Sequence, residues 1–268
     1  MHQVDDHVAS LYCAFLVWMN DFEAARNPRH AEPKRLLRYG FQVTSQNAED
    51  GILHEIFRRV GTTNRIFAEI GVGTGNENNT AFLLSQGWTG YWIDGSDQML
   101  KTLAARPDIE PSQITPAVAF VTKETIGPLF SKLGVPVEPD LLSIDVDQNT
   151  YYIWEGLASY RPRVVVVEYN GALPPDMDWK VRYDPKRTWD GTQNFGASLK
   201  AFTTLASSRG YKLVGCDFTG LNAFFVRDDI VGDRFAEPFT PENHYEPPRY
   251  HMTFRRMHRG AIMDRAAR

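Results

Sequence analysis

Strands and helices alternate along most of this chain, and this alternation limits the possible folds more than any other sequence feature. Short runs rich in β-branched and aromatic residues predict strands at 66–70, 90–94, 117–121, 141–145, 163–169, 211–217 and 222–226. Between them, helical patterns cover 78–86, 97–105, 125–133, 151–157 and 195–208. Such alternation is typical of a mostly parallel sheet that is covered by helices on both faces.

Two details of the pattern refine this prediction. The run 164–167 is valine at every position, as expected for a central strand that is buried on both faces. The last two predicted strands are joined only by residues 218–221, which is too short for a parallel crossover. We therefore expect an α/β fold with a Rossmann-like, doubly wound, seven-stranded and mostly parallel sheet that ends in a C-terminal antiparallel hairpin.

The length of 268 residues suits one α/β domain with added segments. We expect an N-terminal helical extension or lid at 1–60, a central domain at 61–230 and a C-terminal tail at 231–268. The extension should contain helices at Val8–Met19 and at 49–60. The first of these is too short to span a bilayer, and Asp5 and Asp6 precede it without any Lys or Arg, unlike a secretory signal.

Charge and cysteine content narrow the expected partners and compartment. The formal net charge of −4 is too small to indicate binding to nucleic acid or to an anionic membrane. The two cysteines are far apart in the chain and have no CxxC spacing, which fits a reducing compartment. We therefore expect a cytoplasmic protein that acts on a small molecule. The basic residues of the tail are compatible with a phosphate contact, a solvated end or a subunit contact in a homodimer.

A glycine-rich turn follows the first predicted strand and precedes a helix. It reads Glu-Ile-Gly-Val-Gly-Thr-Gly at 69–75, and the next strand ends in Asp94, an acid placed to accept hydrogen bonds from ribose hydroxyls. The dinucleotide fingerprint requires its third glycine three residues after the second, whereas here Gly75 follows Gly73 by two. Glu69 also suits a cationic ligand such as S-adenosylmethionine better than an anionic pyrophosphate.

At this point the chain resembles the class I S-adenosylmethionine-dependent methyltransferases, and within them the FkbM-related group. The resemblance spans Tyr39 to Phe225 and is carried by SQNAED (45–50), EIGVGTG (69–75), WIDGS (92–96), LLSIDVDQNTYYIW (141–154), VVVVEYN (164–170), FGASL (195–199) and LVGC…GLNAFFV (213–226).

The resemblance implies a role for each matching position in holding the cofactor S-adenosylmethionine. Glu69, Gly71 and Gly73 would hold its methionine part, and Asp94 its ribose. Thr122 would lie beside the adenine, and Asp145 would face the sulfonium. The expected cofactor contacts are completed by Gln46, Gly95 and Ser96.

Polar side chains follow the fourth and fifth predicted strands, which are neighbours in this type of fold. Asp147, Asn149, Glu168 and Asn170 should therefore converge at the carboxyl edge of the sheet. Three interpretations remain open: a Mg²⁺ site that uses Asp147 and Glu168, a metal-free site in which either acid is a general base or orients a hydroxyl or amine, or acids that cap helices and pair with local arginines.

Aromatic residues at a helix start and in a long connection complete the candidate site. Tyr151, with Tyr152 and Trp154, could contact the sulfonium through its ring face or simply pack. Together with Asp147, Glu168 and Asn170, it forms our set of candidate catalytic residues. The connection 171–194 is long enough to suggest a functional segment, and its interleaved aromatic and charged residues suit a polar ring-shaped acceptor such as a sugar.

The sequence thus predicts an S-adenosylmethionine-dependent methyltransferase that modifies oxygen, with nitrogen less favoured, of a small polar metabolite or carbohydrate. Two alternatives remain. The enzyme could cyclise or transfer the aminocarboxypropyl part of the cofactor and release methylthioadenosine, or the fold could serve as a binding module without catalysis.

Overall fold

The computed structural model describes residues 27–249, together with Leu11 and Phe15. Most of the predicted helix Val8–Met19 and almost all of the basic tail lie outside the described residues. Within the described part, one seven-stranded sheet organises the chain. Its strands are β1 (Ile66–Ile70), β2 (Thr89–Asp94), β3 (Ile114–Val118), β4 (Leu141–Ile144), β5 (Val164–Glu168), β6 (Tyr211–Cys216) and β7 (Asn222–Arg227).

The strand order is β3-β2-β1-β4-β5-β7-β6, as expected for a doubly wound Rossmann-like sheet. The first five strands pair in parallel, whereas β7 runs antiparallel between β5 and β6. The predicted antiparallel hairpin at the end of the sheet is therefore confirmed. The chain winds first to one side of β1 and then to the other, so a topological switch point lies between β1 and β4.

Both faces of the sheet are covered, which explains the valine run of β5. All four of its valines are inaccessible to solvent. The neighbouring residues Phe224 and Phe225 on β7 point to opposite faces and belong to two separate hydrophobic clusters. The helices are α1 (Pro28–Ala31), α2 (Glu49–Val60), α3 (Ala81–Ser85), α4 (Gln98–Ala105), α5 (Ile126–Leu133), α6 (Thr150–Gly156), α7 (Leu199–Ser208), α8 (Asp228–Val231) and α9 (Pro241–His244).

Helix α2, which the sequence assigned to the N-terminal extension, forms part of the core. Its apolar residues Ile52 and Ile56 are fully buried, in the same cluster as Phe67 and Trp92 of the sheet. Its amino end carries two further buried residues, Glu49 and Asp50. This end lies close to the carboxyl edge of the sheet, since Asn222 at the start of β7 donates a hydrogen bond to Glu49 at 2.9 Å.

The third strand was predicted at 117–121, which is wrong by three residues. It occupies Ile114–Val118 and forms one edge of the sheet, where Pro116 is tolerated because its missing N–H is not needed for pairing. The apolar run that suggested a strand continues past its end as Ala119, Phe120 and Val121. These three residues line a cavity instead of pairing in the sheet.

Two predicted helices begin later than expected, because the residues predicted to start them make other contacts instead. Residues 78–80 do not start α3 but bind the carboxylate of Glu69. Residues 195–197 precede α7, and Ala197 there pairs with Lys180 of the long connection. Ser198 then caps α7 by accepting a hydrogen bond from the backbone N–H of Ala201 at 3.1 Å. None of the helices in the described part of the chain is long and apolar enough to cross a membrane.

Candidate functional site

A cavity of about 410 Å³ opens at the carboxyl ends of the parallel strands, over the switch point between β1 and β4. Its volume lies within the range of small-molecule sites. Its walls come from the glycine turn after β1, the end of β2, the segment after β3, the segment after β4 and the long connection. The sequence predicted most of these segments as parts of one site.

The glycine turn forms the floor of the cavity and depends on glycine at its first position. Gly71 has a φ of +85°, and a Cβ atom added there would lie 1.5 Å from the carbonyl oxygen of Asp145. Its N–H donates to the carbonyl oxygen of Ile93 at 2.8 Å. The turn is therefore held tightly against both β2 and β4, which no residue with a side chain would permit.

Asp94 organises the opposite wall of the cavity through two backbone hydrogen bonds. One carboxylate oxygen accepts from the N–H of Gly73 at 2.7 Å, and the other accepts from the N–H of Ser96 at 2.7 Å. Each oxygen keeps lone-pair capacity for a ligand hydroxyl. Gly95 also lines the cavity, whereas Ser96 does not and instead accepts a hydrogen bond from the N–H of Gln98 at the start of α4.

Glu69 does not line this cavity, although it leads the glycine motif. Its carboxylate is buried and accepts hydrogen bonds from the Asn78 amide, the Asn79 N–H and both the N–H and hydroxyl of Thr80. Burial raises the pKa of Glu69 from its ordinary value of 4.5 to about 7. Glu69 therefore supports the cavity from behind, by fixing the segment that connects the glycine turn to α3.

The wall after β3 is apolar where it was expected to present Thr122. Phe120 and Val121 line the cavity, and Phe120 leaves 56% of its surface exposed, which makes a flat face available to an aromatic ligand. Thr122 lies outside the lining and exchanges hydrogen bonds with Thr125 ahead of α5. Sequence reasoning missed Phe120 because its apolar run was assigned to the strand.

Three carboxyl groups lie close together at the ends of β4 and β5. The sequence predicted that two of them, those of Asp147 and Glu168, would converge there. Oxygen atoms of Asp145, Asp147 and Glu168 lie within 4.8 Å of one another. Burial, and then the charge of Asp147, raises the pKa of Asp145 from 3.8 to about 6. Burial, followed by the charges of Asp145 and Asp147, raises the pKa of Glu168 well above its ordinary value. Asp147 is exposed, and its φ of +53° directs the chain sharply into α6.

This cluster has the donor set that a hard divalent cation prefers, so the residues present are compatible with a Mg²⁺ ion. Asp145, Asp147 and Glu168 would then be its ligands, and the ion would lower the pKa of a substrate hydroxyl bound to it.

The long connection closes the cavity from above, as its length suggested. Arg187, Thr188 and Trp189 line the cavity. The connection is tied to the segment after β4 by Asn149, whose side-chain amide donates to the carbonyl oxygens of Asp184 at 3.0 Å and Arg187 at 3.4 Å. Asn149 itself is 5% exposed and also lines the cavity.

Three other candidate residues lie away from this cavity. Asn170 donates to the carbonyl oxygens of Gln193 and Phe195, so it anchors the far end of the long connection. Tyr151 is buried against Phe202 and receives the Lys180 ammonium over its ring at 4.3 Å. Gln46 is exposed. Asn170 and Tyr151 therefore have structural roles in this geometry. The pattern of strands and helices alone does not reveal these roles.

Glu49 is the acid near the site that sequence reasoning did not single out. It is fully buried, and burial followed by the charge of Asp217 raises its pKa from 4.5 to about 7. Its charge also contributes to the raised pKa of Asp145. The sequence signal that could have identified it is the Glu-Asp pair at the start of a predicted amphipathic helix. Acidic residues at this position usually face solvent and cap the helix.

These raised pKa values predict that the protein loses stability as the pH rises. Between about pH 4.5 and 7 the folded chain retains protons on Glu49 and Glu69 that the unfolded chain has released, so stability falls through this window. A shift of one pKa unit corresponds to about 1.4 kcal/mol. His30 and His244, whose pKa burial lowers from 6.5 to about 4, oppose part of this fall below pH 6.5. Because the raised acids outnumber them, we expect urea unfolding of the ligand-free chain to show a lower free energy of unfolding at pH 7.5 than at pH 5.

The variant Glu168→Gln tests the contribution of the carboxyl cluster to this pH dependence. It cannot ionise, so it should lose less stability over the same window than the wild type does. Glu237→Gln, an exposed position, is the matched control and should follow the wild type. A free energy of unfolding that rises between pH 5 and 7.5 would contradict the assigned protonation states.

No protein-family model and no curated protein gives a significant match to this chain. Among solved structures, it is similar to the methyltransferase domain of bacterial CtHen1-C, with 15% identity over 68% of this chain and 97% of that one and a TM-score of 0.42. The CcbJ methyltransferase from Streptomyces caelestis shares 14% identity over 73% and 97%, with a TM-score of 0.38.

The N-terminal domain of EvdMO1, solved with S-adenosylhomocysteine bound, shares 14% identity over 76% of this chain and 94% of that one, with a TM-score of 0.40.

Proposed function

We propose that this protein is an S-adenosylmethionine-dependent methyltransferase. The observation that carries the proposal is the position of the glycine turn, Asp94 and Asp145 around one cavity at the switch point of a doubly wound sheet. Ligands of such sheets bind at this point. The cavity offers one acid for a ribose and another for a cationic centre, on opposite sides of a turn that allows close backbone approach.

The lining residues fit the chemical groups of this cofactor one by one. Asp94 would accept hydrogen bonds from the ribose hydroxyls, and Phe120 with Val121 would contact the adenine. Gly71 and Gly73 allow the amino acid part to approach the backbone. Asp145 would face the sulfonium, because it directly follows the neighbouring strand β4 and lines the same cavity.

When bound, the cofactor supplies a methyl group attached to a positively charged sulfur. The chain must align an acceptor with that methyl group and keep water away from it. Trp189 and Arg187 would exclude water, because they line the cavity from the connection above it. Asp147 is exposed beside Asp145 and would accept a hydrogen bond, and then the proton, from an acceptor hydroxyl.

We further propose that the acceptor is a small polar metabolite or carbohydrate, methylated on oxygen in preference to nitrogen, in the cytoplasm. The size of the cavity and the polar groups along its rim support a small acceptor. A homodimer remains part of this proposal.

Calorimetry on the full chain tests the proposal. We expect both S-adenosylmethionine and S-adenosylhomocysteine to bind, and NAD⁺, whose pyrophosphate is anionic, not to bind. Mass spectrometry of the nucleoside formed during turnover should then find S-adenosylhomocysteine. No affinity for either sulfur nucleoside would refute the proposal. Methylthioadenosine as the product would show instead that the aminocarboxypropyl group is cyclised or transferred.

A further inference from the structure

A cluster of carboxyl groups borders the acceptor side of the cavity, and no basic side chain between residues 27 and 249 pairs with it. Asp145, Asp147 and Glu168 form one cluster, and Glu49 with Asp217 lies close behind it. Between residues 27 and 249, every ion pair involves other acids, so none of these five carboxyl groups is paired with Lys, Arg or His. Buried carboxyl groups normally require such a partner or a ligand.

No donor among residues 27–249 reaches two buried oxygen atoms, one in this cluster and one in the wall of the cavity. One is Oε2 of Glu168, whose side chain is almost fully buried. The other is Oδ1 of Asn149, which lines the same cavity as Asp145 and Asp147. The orientation of the Asn149 amide is fixed, because its NH₂ group already donates to two carbonyl oxygens. Its oxygen is therefore left as a buried acceptor that residues 27–249 do not satisfy.

The spacing of the three carboxyl groups defines the kind of donor that fits. Three oxygens no more than 4.8 Å apart leave a point at most about 2.8 Å from each, which is the N–O distance of a charge-assisted ammonium hydrogen bond. A protonated amine provides up to three donors and one positive charge at such a point. A hydroxyl provides a single donor and no charge, so it would leave the cluster largely unsatisfied.

We propose that the acceptor substrate carries a protonated amino group, which binds between Asp145, Asp147 and Glu168. This inference rests on the proposed methyltransferase function and narrows its substrate class to amino sugars, amino alcohols and similar small cationic molecules. The amino group positions the acceptor in the cavity. The carboxyl cluster thereby selects amines over neutral polyols of the same size and shape.

Calorimetry with matched probes tests this inference on the full chain saturated with S-adenosylhomocysteine. The pairs are glucosamine against glucose and 2-aminoethanol against 1,2-ethanediol. We expect each amine to bind at least about tenfold more tightly than its neutral partner. The variant Glu168→Gln should weaken amine binding about tenfold while its affinity for S-adenosylhomocysteine stays near that of the wild type. The exposed control Glu237→Gln should change neither, and thermal unfolding confirms that both variants are folded.

The outcomes separate this inference from the function on which it rests. Equal affinity for amines and neutral partners, including no binding of either, overturns the inference while S-adenosylhomocysteine binding still supports the methyltransferase. Amine binding that Glu168→Gln does not weaken also overturns it. MgCl₂ that binds alone and displaces the amines would identify the cluster as a divalent cation site instead. A chain that does not bind S-adenosylhomocysteine refutes the proposed function itself.

Discussion

Replacing Gly71 with alanine is expected to abolish binding of S-adenosylhomocysteine, with a loss of affinity of more than about 100-fold. The added Cβ would lie 1.5 Å from the backbone carbonyl oxygen of Asp145, so β1 and β4 would have to separate at the floor of the cavity. Backbone cannot move aside as a flexible side chain can. We also expect the free energy of unfolding to fall by about 4 kcal/mol or more, and urea unfolding measures this loss.

Gly87→Ala is the matched control for this prediction. Gly87 has a similar φ of +80°, but nothing lies within 4 Å of a Cβ added there. Alanine at this position should lower the free energy of unfolding only by the cost of a left-handed backbone conformation, about 1–2 kcal/mol. This variant should bind S-adenosylhomocysteine like the wild type. If Gly71→Ala bound the nucleoside as well as Gly87→Ala does, the glycine turn would not be the floor of the ligand site.

The variant Asp94→Ala is expected to weaken S-adenosylhomocysteine binding by about 100-fold, measured by calorimetry. It removes the acceptor for the N–H groups of Gly73 and Ser96, and hydrogen bonds to charged groups contribute about 1.5–3 kcal/mol each. The turn would lose its fixed position and the ribose its proposed partner at the same time.

Asp97→Ala provides the control for Asp94→Ala. Asp97 is an exposed acid three positions along the chain, and its side chain makes no capping hydrogen bond to α4. The variant removes the same charge from the same region, so its affinity for the nucleoside should stay within about twofold of the wild type. Equal losses in the two variants would mean that general electrostatics, and not the contacts of Asp94, hold the ligand.

The fold followed from the sequence where periodicity and connection length leave one solution. The valine run predicted the buried strand β5, and the four-residue connection before β7 predicted an antiparallel hairpin. The third strand was misplaced because the apolar residues Phe120 and Val121 have the composition of a strand but serve as a cavity wall. Local composition cannot distinguish an apolar residue that packs in the hydrophobic core from one that lines a cavity.

The site was predictable where the backbone itself dictates residue type. A left-handed turn needs glycine at Gly71, and an acid at the end of the next strand reaches the same cavity from Asp94. The hydrogen-bond partners of longer side chains were not predictable in this way. Glu69 and Asn170 were expected at the ligand but turn toward neighbouring loops, because buried carboxylates and amides bind whichever backbone groups lie closest in three dimensions.

The attachment of the long connection has a consequence for turnover. Besides the two hydrogen bonds from Asn149, the hydroxyl of Tyr152 donates to the carbonyl oxygen of Val181 at 2.7 Å, and that of Tyr183 to Glu124 at 2.6 Å. The proposed nucleoside would lie beneath Arg187 and Trp189, so parting of these bonds would open the cavity for its release. If the proposed function holds, the residence time of the nucleoside would depend on how firmly residues 181–189 are attached, as well as on its own contacts with the glycine turn.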